Sequence, residues 1–272
     1  MERGAPAELV EALSQAVGMP VVTCVSGWRS DVAVDFDEVA ARHLIDRFEG
    51  YRKQRSVALF LMGRGASVGF ADLVRRASRH IELHVLVPYL VTGRVGLAAL
   101  SGHALRLGRY GAIGSVDAPC AHSTNPADVA ASRGMARRIL KTEDVSRLTH
   151  ALLGAGQGLS PDELAKLGLP ASDLDADADS ATWALFEAYE QALGLREGPA
   201  RRYEESDVGD EVEWEFAVGL PGGFIETSDD SLVYLLDTGR PDPDTGQLAG
   251  RWTSDANEEV LELDFDNARP AP

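Results

Sequence analysis

Residues 85–100 read VLVPYLVTGRVGLAAL, and they form the most informative stretch of the chain. It predicts an apolar strand that ends at Pro88-Tyr89, a turn at Thr92-Gly93, and a buried helix of small residues from Gly96 to Ala104. Hydrolases place a nucleophile at such a strand-to-helix corner, because the helix dipole and free N–H groups stabilise a developing negative charge. The corner is therefore the first candidate site.

Composition limits the classes of protein to consider. A chain of 272 residues with 44% hydrophobic content is long enough for one α/β domain with appendages, or for two small domains. Its 43 acidic and 26 basic residues give a formal charge of −17, which repels a phosphate backbone and argues against nucleic acid as a partner. The two cysteines, Cys24 and Cys120, follow no metal-binding or disulfide spacing, so we expect neither a metal nor a cofactor.

The N-terminal residues and the apolar runs indicate where in the cell the protein is expected. No uninterrupted apolar stretch approaches the ~20 residues of a membrane span. The N-terminal residues 1–6 carry no apolar secretory core. We therefore expect a cytoplasmic protein without a membrane span.

Outward from the corner, helical and strand patterns alternate along the N-terminal half. The strand at Val57–Met62 is an uninterrupted apolar run, as expected in a parallel sheet that is covered on both faces. Glycine-rich segments follow the strands, which predicts parallel βα units with a ligand site at the strand ends. The expected helices cover about 7–18, 36–53 and 70–80, and the expected strands cover 20–25, 57–62, 81–87 and 104–109.

The second half divides into a helical part and a β-rich part. Helices are expected over 127–140, 142–153, 161–168 and 181–193, with an acidic connector at Asp173–Asp179. The resulting organisation is an α/β domain over residues 1–195 that is helical from about 126, a small acidic antiparallel β appendage over 196–254, and a disordered acidic tail over 255–272.

The order of these segments resembles the serine dehydrogenase proteinase family, which is related to signal peptide peptidase A within the wider ClpP/crotonase fold. The resemblance covers roughly residues 8–171, and residues 224–227 resemble a C-terminal hairpin of longer members. It is carried by GRGASVG at 63–69, the Val-Pro-Tyr strand, IGSVD at 113–117 and SPDELAKLGLP at 160–170. It implies a ClpP/crotonase-like parallel sheet with flanking helices.

The resemblance also assigns roles to individual positions. The loop whose N–H groups form the family's oxyanion hole falls on Arg64, Gly65 and Ala66, and the serine nucleophile falls on Gly93. The lysine base lies in a helix near 128–145, where Lys141 is the one lysine and arginines occupy the earlier turns. Glycine has no hydroxyl, and a guanidinium stays protonated near neutral pH, so two parts of the chemistry differ from the family pattern.

Three interpretations of the corner remain open. Thr92 replaces the serine, with Lys141 as base. Alternatively, Ser67 or Ser115 supplies the hydroxyl, although serines in glycine-rich turns often bond their own backbone. In the third interpretation no nucleophile exists and the fold is kept for binding or assembly.

The two arginines at the corner also have two interpretations. Arg64 and Arg94 clamp a carboxylate or phosphate in a bidentate manner, or each pairs with an acidic residue of the chain, such as one in the C-terminal part that folds over the corner.

Two functions follow from these alternatives. The favoured one is a degenerate peptidase homologue that acts as an oligomeric binding or scaffold protein with a peptide or protein partner. The alternative is an active peptidase or hydrolase that uses Thr92 with Lys141. An acyl-CoA enzyme is a weaker third option, because the acidic charge disfavours a polyanionic ligand. The resemblance implies a homo-oligomer built through the helices that flank the sheet.

Overall fold

The computed structural model describes residues 5–28, 34–116, 126–139, 151, 158–196, 201–204, 213–216, 221–241 and 248–254. The predictions on Lys141, on Cys120 and on the tail at 255–272 lie outside the described residues, as does the helix predicted at 142–153 apart from residue 151. The acidic β-rich part is described over its strands.

Helices and strands alternate through the N-terminal half, as the sequence predicts. The helices are α1 (Ala7–Val17), α2 (Glu38–Gly50), α3 (Val68–Ala77), α4 (Gly93–Ala99), α5 (Pro126–Ile139), α6 (Pro161–Lys166) and α7 (Ala176–Ala192), with a short 3-10 helix at Arg52–Gln54. The strands are β1 (Val21–Ser26), β2 (Ser56–Met62), β3 (Glu82–Val87), β4 (Leu90–Val91), β5 (Ala104–Leu107), β6 (Ala112–Ile113), β7 (Ala171–Asp173), β8 (Arg201–Glu204), β9 (Glu213–Phe216), β10 (Pro221–Glu226), β11 (Ser231–Pro241) and β12 (Leu248–Thr253).

One large sheet organises the described residues. Its eight strands lie in the order β12-β11-β10-β1-β2-β3-β5-β7. Strands β1, β2, β3, β5 and β7 pair in parallel, and β10 to β12 join the β1 edge in antiparallel fashion. The chain is thus a mixed α/β protein with a mostly parallel sheet and flanking helices.

Strand β2 shows why its sequence is apolar throughout. Its residues alternate between two cores: Val57, Leu59 and Leu61 face the core that contains α2 to α5, whereas Ala58 and Phe60 face the core beneath α1 and α7. Because successive side chains of a strand point to opposite faces, a strand covered on both sides has no polar face. The prediction of a doubly covered parallel sheet is confirmed.

Local capping fixes several helix starts. The Asp37 carboxylate accepts the Ala40 N–H at 2.8 Å and begins α2. Ser160 and Glu163 form a reciprocal capping box at α6, with Pro161 in the first helical position. These signals are readable from sequence because a cap involves residues within one turn.

Three helical predictions need correction. Helix α4 begins at Gly93 and ends at Ala99, rather than running from Gly96 to Ala104. The segment 173–179 is not a connector: it contains the end of β7 and the start of α7, whose N-cap Asp175 accepts the Ala178 N–H at 2.9 Å. Its acidic residues suit the positive end of a helix dipole. The helix expected over 36–53 ends earlier: α2 covers Glu38–Gly50, and Arg52–Gln54 form a separate 3-10 helix.

Three of the C-terminal strands, β10 to β12, belong to the main sheet. Strand β10 pairs with β1, with Cys24 opposite Ile225 and Val25 opposite Phe224. Strands β8 and β9 pair with each other in a separate two-stranded antiparallel sheet. Antiparallel strands are thus present in the part of the chain where the sequence predicts them. The appendage and a domain boundary at residue 196 stay predictions.

Candidate functional site

The corner lies at the carboxyl end of β3. The two-residue strand β4 follows the Pro88-Tyr89 turn and pairs in parallel with β6. Thr92 is the N-cap residue of α4, and every residue of this seven-residue helix is buried. The corner is thus built on a rigid interior helix, as a strand-to-helix site requires.

Gly93 is the first residue of α4 and has a left-handed backbone with φ of 58°. Its N–H donates to the Ser115 carbonyl at 2.7 Å. That amide is therefore occupied by the backbone of the chain. A residue with a side chain at this position would be strained, because left-handed backbone brings Cβ too close to the following carbonyl oxygen.

Thr92 carries the hydroxyl that is nearest to Gly93 in sequence. Its side chain makes no capping hydrogen bond to α4. The Oγ1 atom instead donates to the Arg64 carbonyl at 3.3 Å, so the hydroxyl links the corner to the glycine-rich loop after β2. Thr92 is partly exposed.

The loop after β2 is held by the segment that precedes α2. The Phe36 N–H donates to the Gly65 carbonyl at 3.1 Å, and the Ser67 N–H donates to the Phe36 carbonyl at 2.7 Å. Phe36 and Ala66 form an isolated parallel bridge. The loop predicted to form an oxyanion hole is thus part of a backbone-paired structure.

Asp35 is a further residue of the corner, and no motif in the sequence points to it. A Cβ added to Gly65 would overlap the Asp35 carboxylate, so this carboxylate lies directly against the Gly65 backbone. The contact depends on the bridge between Phe36 and Ala66, which no local pattern signals. The Asp35 carboxylate thus occupies space beside the loop that is predicted to form an oxyanion hole.

Arg94 lies in the interior, with 8% of its surface exposed. Its Nε donates to Ser132 Oγ at 3.1 Å, and its Nη1 donates to the Ala66 carbonyl at 3.5 Å. The guanidinium thereby connects α4, α5 and the loop after β2. Arg64 has different surroundings: it is exposed and its guanidinium lies 5.0 Å from the centroid of the Trp28 ring. Within the described residues, Arg64 forms no ion pair.

The other candidate hydroxyls are those of Ser67 and Ser115. Ser67 is the N-cap of α3: it accepts the Phe70 N–H at 3.0 Å and donates to Glu38 at 2.8 Å. This is the alternative anticipated for a serine in a glycine-rich turn. Ser115 takes part through its carbonyl, which accepts from Gly93. Lys141 is outside the described residues, so the predicted base remains a prediction, as do the clamp and the oxyanion loop.

A second buried polar cluster lies across the sheet. Tyr189 of α7 and Glu226 of β10 are fully or almost fully buried, and they contact Thr23 and Ser231. Burial raises the pKa of the Glu226 carboxyl, although hydrogen bonds from Ser231 and Tyr189 oppose the shift. Burial, together with the neighbouring Glu226, also raises the pKa of the Tyr189 hydroxyl well above its usual range. Both groups are therefore held toward their neutral forms.

Two further properties concern binding partners. Across the described ranges, no three histidine, cysteine or acidic side chains come together as a metal site. Of the helices that the structure describes, none is long and apolar enough to cross a membrane.

The fold and the corner define a mixed α/β protein in which the mostly parallel sheet carries a strand-to-helix corner with glycine at the first helical position. No protein-family model matches the chain, and no curated protein matches it. Among solved structures, the chain is similar to ClpP1 from Listeria monocytogenes, with 10% sequence identity and a TM-score of 0.44. The match covers 63% of this chain and 97% of that one.

Proposed function

We propose that this chain is a degenerate homologue of a serine peptidase of the serine dehydrogenase proteinase type, and that it acts as an oligomeric binding or scaffold protein. The family in this proposal rests on the resemblance of the sequence. The loss of hydrolytic activity rests on the geometry of the corner. A peptide or a protein is the expected partner.

The backbone of Gly93 is the observation that carries the proposal. Covalent hydrolysis needs a nucleophile at the start of α4, and Gly93 offers none. Its N–H, which would otherwise help to stabilise a negative charge, donates to Ser115 at 2.7 Å. Gly93 therefore supplies neither a nucleophilic side chain nor a free N–H group for the stabilisation of a negative charge.

The surroundings of the corner support the same conclusion. The Asp35 carboxylate lies against Gly65 and occupies space beside the loop in which the oxyanion hole is expected. Arg94 extends to Ser132 on α5, and a guanidinium cannot serve as a general base near neutral pH. These contacts stabilise the fold around the corner and provide no path for proton transfer.

Covalent labelling tests the proposal directly. We expect no adduct when the full chain is incubated with a fluorophosphonate probe, because such probes react with activated hydroxyls. A serine peptidase labelled in parallel checks the probe, and intact-mass measurement detects the adduct. A stoichiometric adduct that maps to any hydroxyl of the corner would overturn the proposal.

Assembly is tested separately. The family resemblance implies a homo-oligomer that forms through the helices flanking the sheet. Multi-angle light scattering is expected to give a multiple of the 29.1 kDa chain mass. A monomer across the working range of concentration would remove the oligomeric part of the proposal and leave the binding role to be tested by itself.

The second candidate is an active hydrolase with Thr92 as nucleophile and Lys141 as base. The observation in its favour is that the Thr92 hydroxyl is partly exposed at the start of α4 and is not used to cap the helix. For this function, Thr92→Ala must abolish the hydrolysis of a peptide or ester substrate while Thr92→Ser retains it. The exposed Ser180→Ala on α7 serves as control. Activity that survives Thr92→Ala rules this function out.

A further inference from the structure

A cleft of about 560 Å³ lies at the ends where the parallel strands β5 and β7 begin, beyond the C-terminus of α4, whose N-terminus forms the corner. It opens where α3, α4 and α5 end and where β5 and β7 begin, whereas the corner follows the carboxyl end of β3. The volume is in the range of pockets that bind small molecules. The described lining of the cleft combines arginine side chains with apolar residues such as Leu100, Ile139 and Leu169.

The charge of this cleft is opposite to that of the chain. The chain carries a formal charge of −17, yet the described lining contains three arginines and no acidic residue. Arg75 is bound to Asp72 with an Nη2–Oδ1 distance of 2.7 Å. In the described part of the chain, no carboxylate pairs with Arg79 or Arg138. Two guanidiniums at the cleft therefore remain available to an anion.

His103 adds a neutral donor. Its Nδ1 accepts the Leu83 N–H at 3.1 Å, so the ring proton of the neutral imidazole is on Nε2. His103 is exposed, and its Nε2–H takes no part in the hydrogen bond with Leu83. The hydroxyls of Ser78 and Ser101 donate to helix carbonyls at 2.9 Å each, so they contribute acceptor atoms and not donors.

The helix ends that meet here provide an opposing effect. Each C-terminus carries about −0.5 of an elementary charge, so three helix ends together contribute about −1.5. The two available guanidiniums carry a full positive charge each, and they outweigh the helix ends. The net charge at the cleft is therefore positive. It comes from flexible arginine side chains, whose planar guanidinium groups present forked N–H donors.

The remainder of the lining is apolar. Leu100, Ile139, Leu169 and Pro170 provide hydrocarbon surface beside the arginines. A simple ion would leave this surface in contact with water. A ligand with a hydrocarbon body and an anionic group would contact both parts of the cleft.

We propose that this cleft binds a small organic oxyanion, namely a phosphate or carboxylate attached to an apolar body, with Arg79 and Arg138 as the anion-binding residues. The site is separate from the corner, and it does not depend on whether the corner is catalytic. Phosphate and carboxylate share the geometry that a guanidinium recognises, so the experiment distinguishes between them.

Isothermal titration of the full chain tests the site with phenyl phosphate, benzoate and uncharged benzyl alcohol. We expect one or both anions to bind at millimolar concentration or below, and benzyl alcohol to bind at least about tenfold more weakly. Binding of phenyl phosphate alone identifies a phosphate site, and binding of benzoate alone identifies a carboxylate site. Absence of binding by both anions, or equal binding of benzyl alcohol, overturns the proposal.

The double variant Arg79→Gln/Arg138→Gln assigns the binding to this cleft. We expect its affinity for the anion to fall at least about tenfold, because charge-assisted hydrogen bonds are lost. The control Arg42→Gln/Arg52→Gln removes the same charge from α2 and the 3-10 helix, where both arginines form exposed ion pairs. Circular dichroism confirms that both variants fold. An equal loss in the control variant, or unchanged binding in the test variant, overturns the proposal.

Discussion

The Tyr189 hydroxyl donates a hydrogen bond of 2.5 Å to Glu226 Oε2 and connects α7 to β10 through the interior. The same hydroxyl lies 2.7 Å from Thr23 Oγ1, and Ser231 Oγ donates to Glu226 Oε1 at 2.6 Å. The cluster thus joins β1, α7, β10 and the start of β11. Because β10 extends the sheet next to β1, these bonds hold the C-terminal strands to the N-terminal half.

Removal of the tyrosine hydroxyl should destabilise the protein. Tyr189→Phe leaves the buried Glu226 carboxyl without one of its donors, and an unsatisfied buried group costs about 1–3 kcal/mol. We expect the free energy of unfolding in urea to fall by that amount. Tyr110→Phe is the control, because Tyr110 is 58% exposed and its variant should stay within about 0.5 kcal/mol of wild type. Equal effects of the two variants would contradict the role of the cluster.

The buried carboxyl should also make stability depend on pH. Burial raises the pKa of Glu226 in the folded state, so folding favours its protonated form. The resulting contribution is fully present below the unfolded pKa of about 4.3 and is lost as the pH rises through the folded pKa. Glu226→Gln keeps a neutral side chain at all pH values. The stability of the variant relative to wild type should therefore increase as the pH rises from about 4 to 7.

The exposed Glu8→Gln in α1 is the matched control for this pH series, and its stability relative to wild type should not follow the same trend. Denaturant midpoints at several pH values provide the measurement. A difference between Glu226→Gln and wild type that is constant with pH would show that the carboxyl does not titrate differently in the folded state.

A side chain at Gly93 should be costly. The φ of 58° disfavours any L-residue, so Gly93→Ala should lower the free energy of unfolding by about 1–2 kcal/mol. Gly134→Ala is the contrast, because this glycine is in the interior of α5 and has no atom within 4 Å of an added Cβ. The substitution to alanine should stabilise the protein by about 0.5–1 kcal/mol. Thermal unfolding measures both variants. Destabilisation by Gly134→Ala, or none by Gly93→Ala, would contradict the assigned backbone.

The contact between Gly65 and Asp35 is tested by a double-mutant cycle. Gly65→Ala forces a Cβ against the Asp35 carboxylate, and we expect a loss of about 1–3 kcal/mol from overpacking. Asp35→Ala removes the obstructing carboxylate, so the same glycine substitution should cost less in that background. A coupling free energy of at least about 0.5 kcal/mol is expected from urea unfolding. Additive effects would show that the two residues are not in contact.

Much of the secondary structure is readable from the sequence, since it depends on neighbours along the chain. The apolar run at 57–62 is β2, and the Ser160-Pro161-Asp162-Glu163 signal is a capping box at α6. The secondary-structure predictions are wrong where a local pattern is compatible with two kinds of element. Acidic residues suit both a solvated connector and the first turn of a helix, so the pattern at 173–179 does not distinguish a connector from the start of α7.

The candidate site was predictable only in part. The sequence identifies the corner at Thr92-Gly93, but the left-handed backbone of Gly93 follows from its packing against Ser115. The sequence also places Arg94 at the corner, but its hydrogen bond to Ser132 depends on where α5 packs. Asp35 carries no motif at all.

The sequence is sufficient to predict the first four long strands, the helices between them and several helix caps, because hydrophobic periodicity and capping act over a few residues. The pairing of β10 with β1, the hydrogen bond from Tyr189 to Glu226 and the position of Asp35 beside Gly65 follow only from the tertiary structure. The residues of these contacts are separated by up to about two hundred positions, as for Thr23 and Glu226. Such contacts depend on how whole elements pack, and no local preference of the chain specifies them.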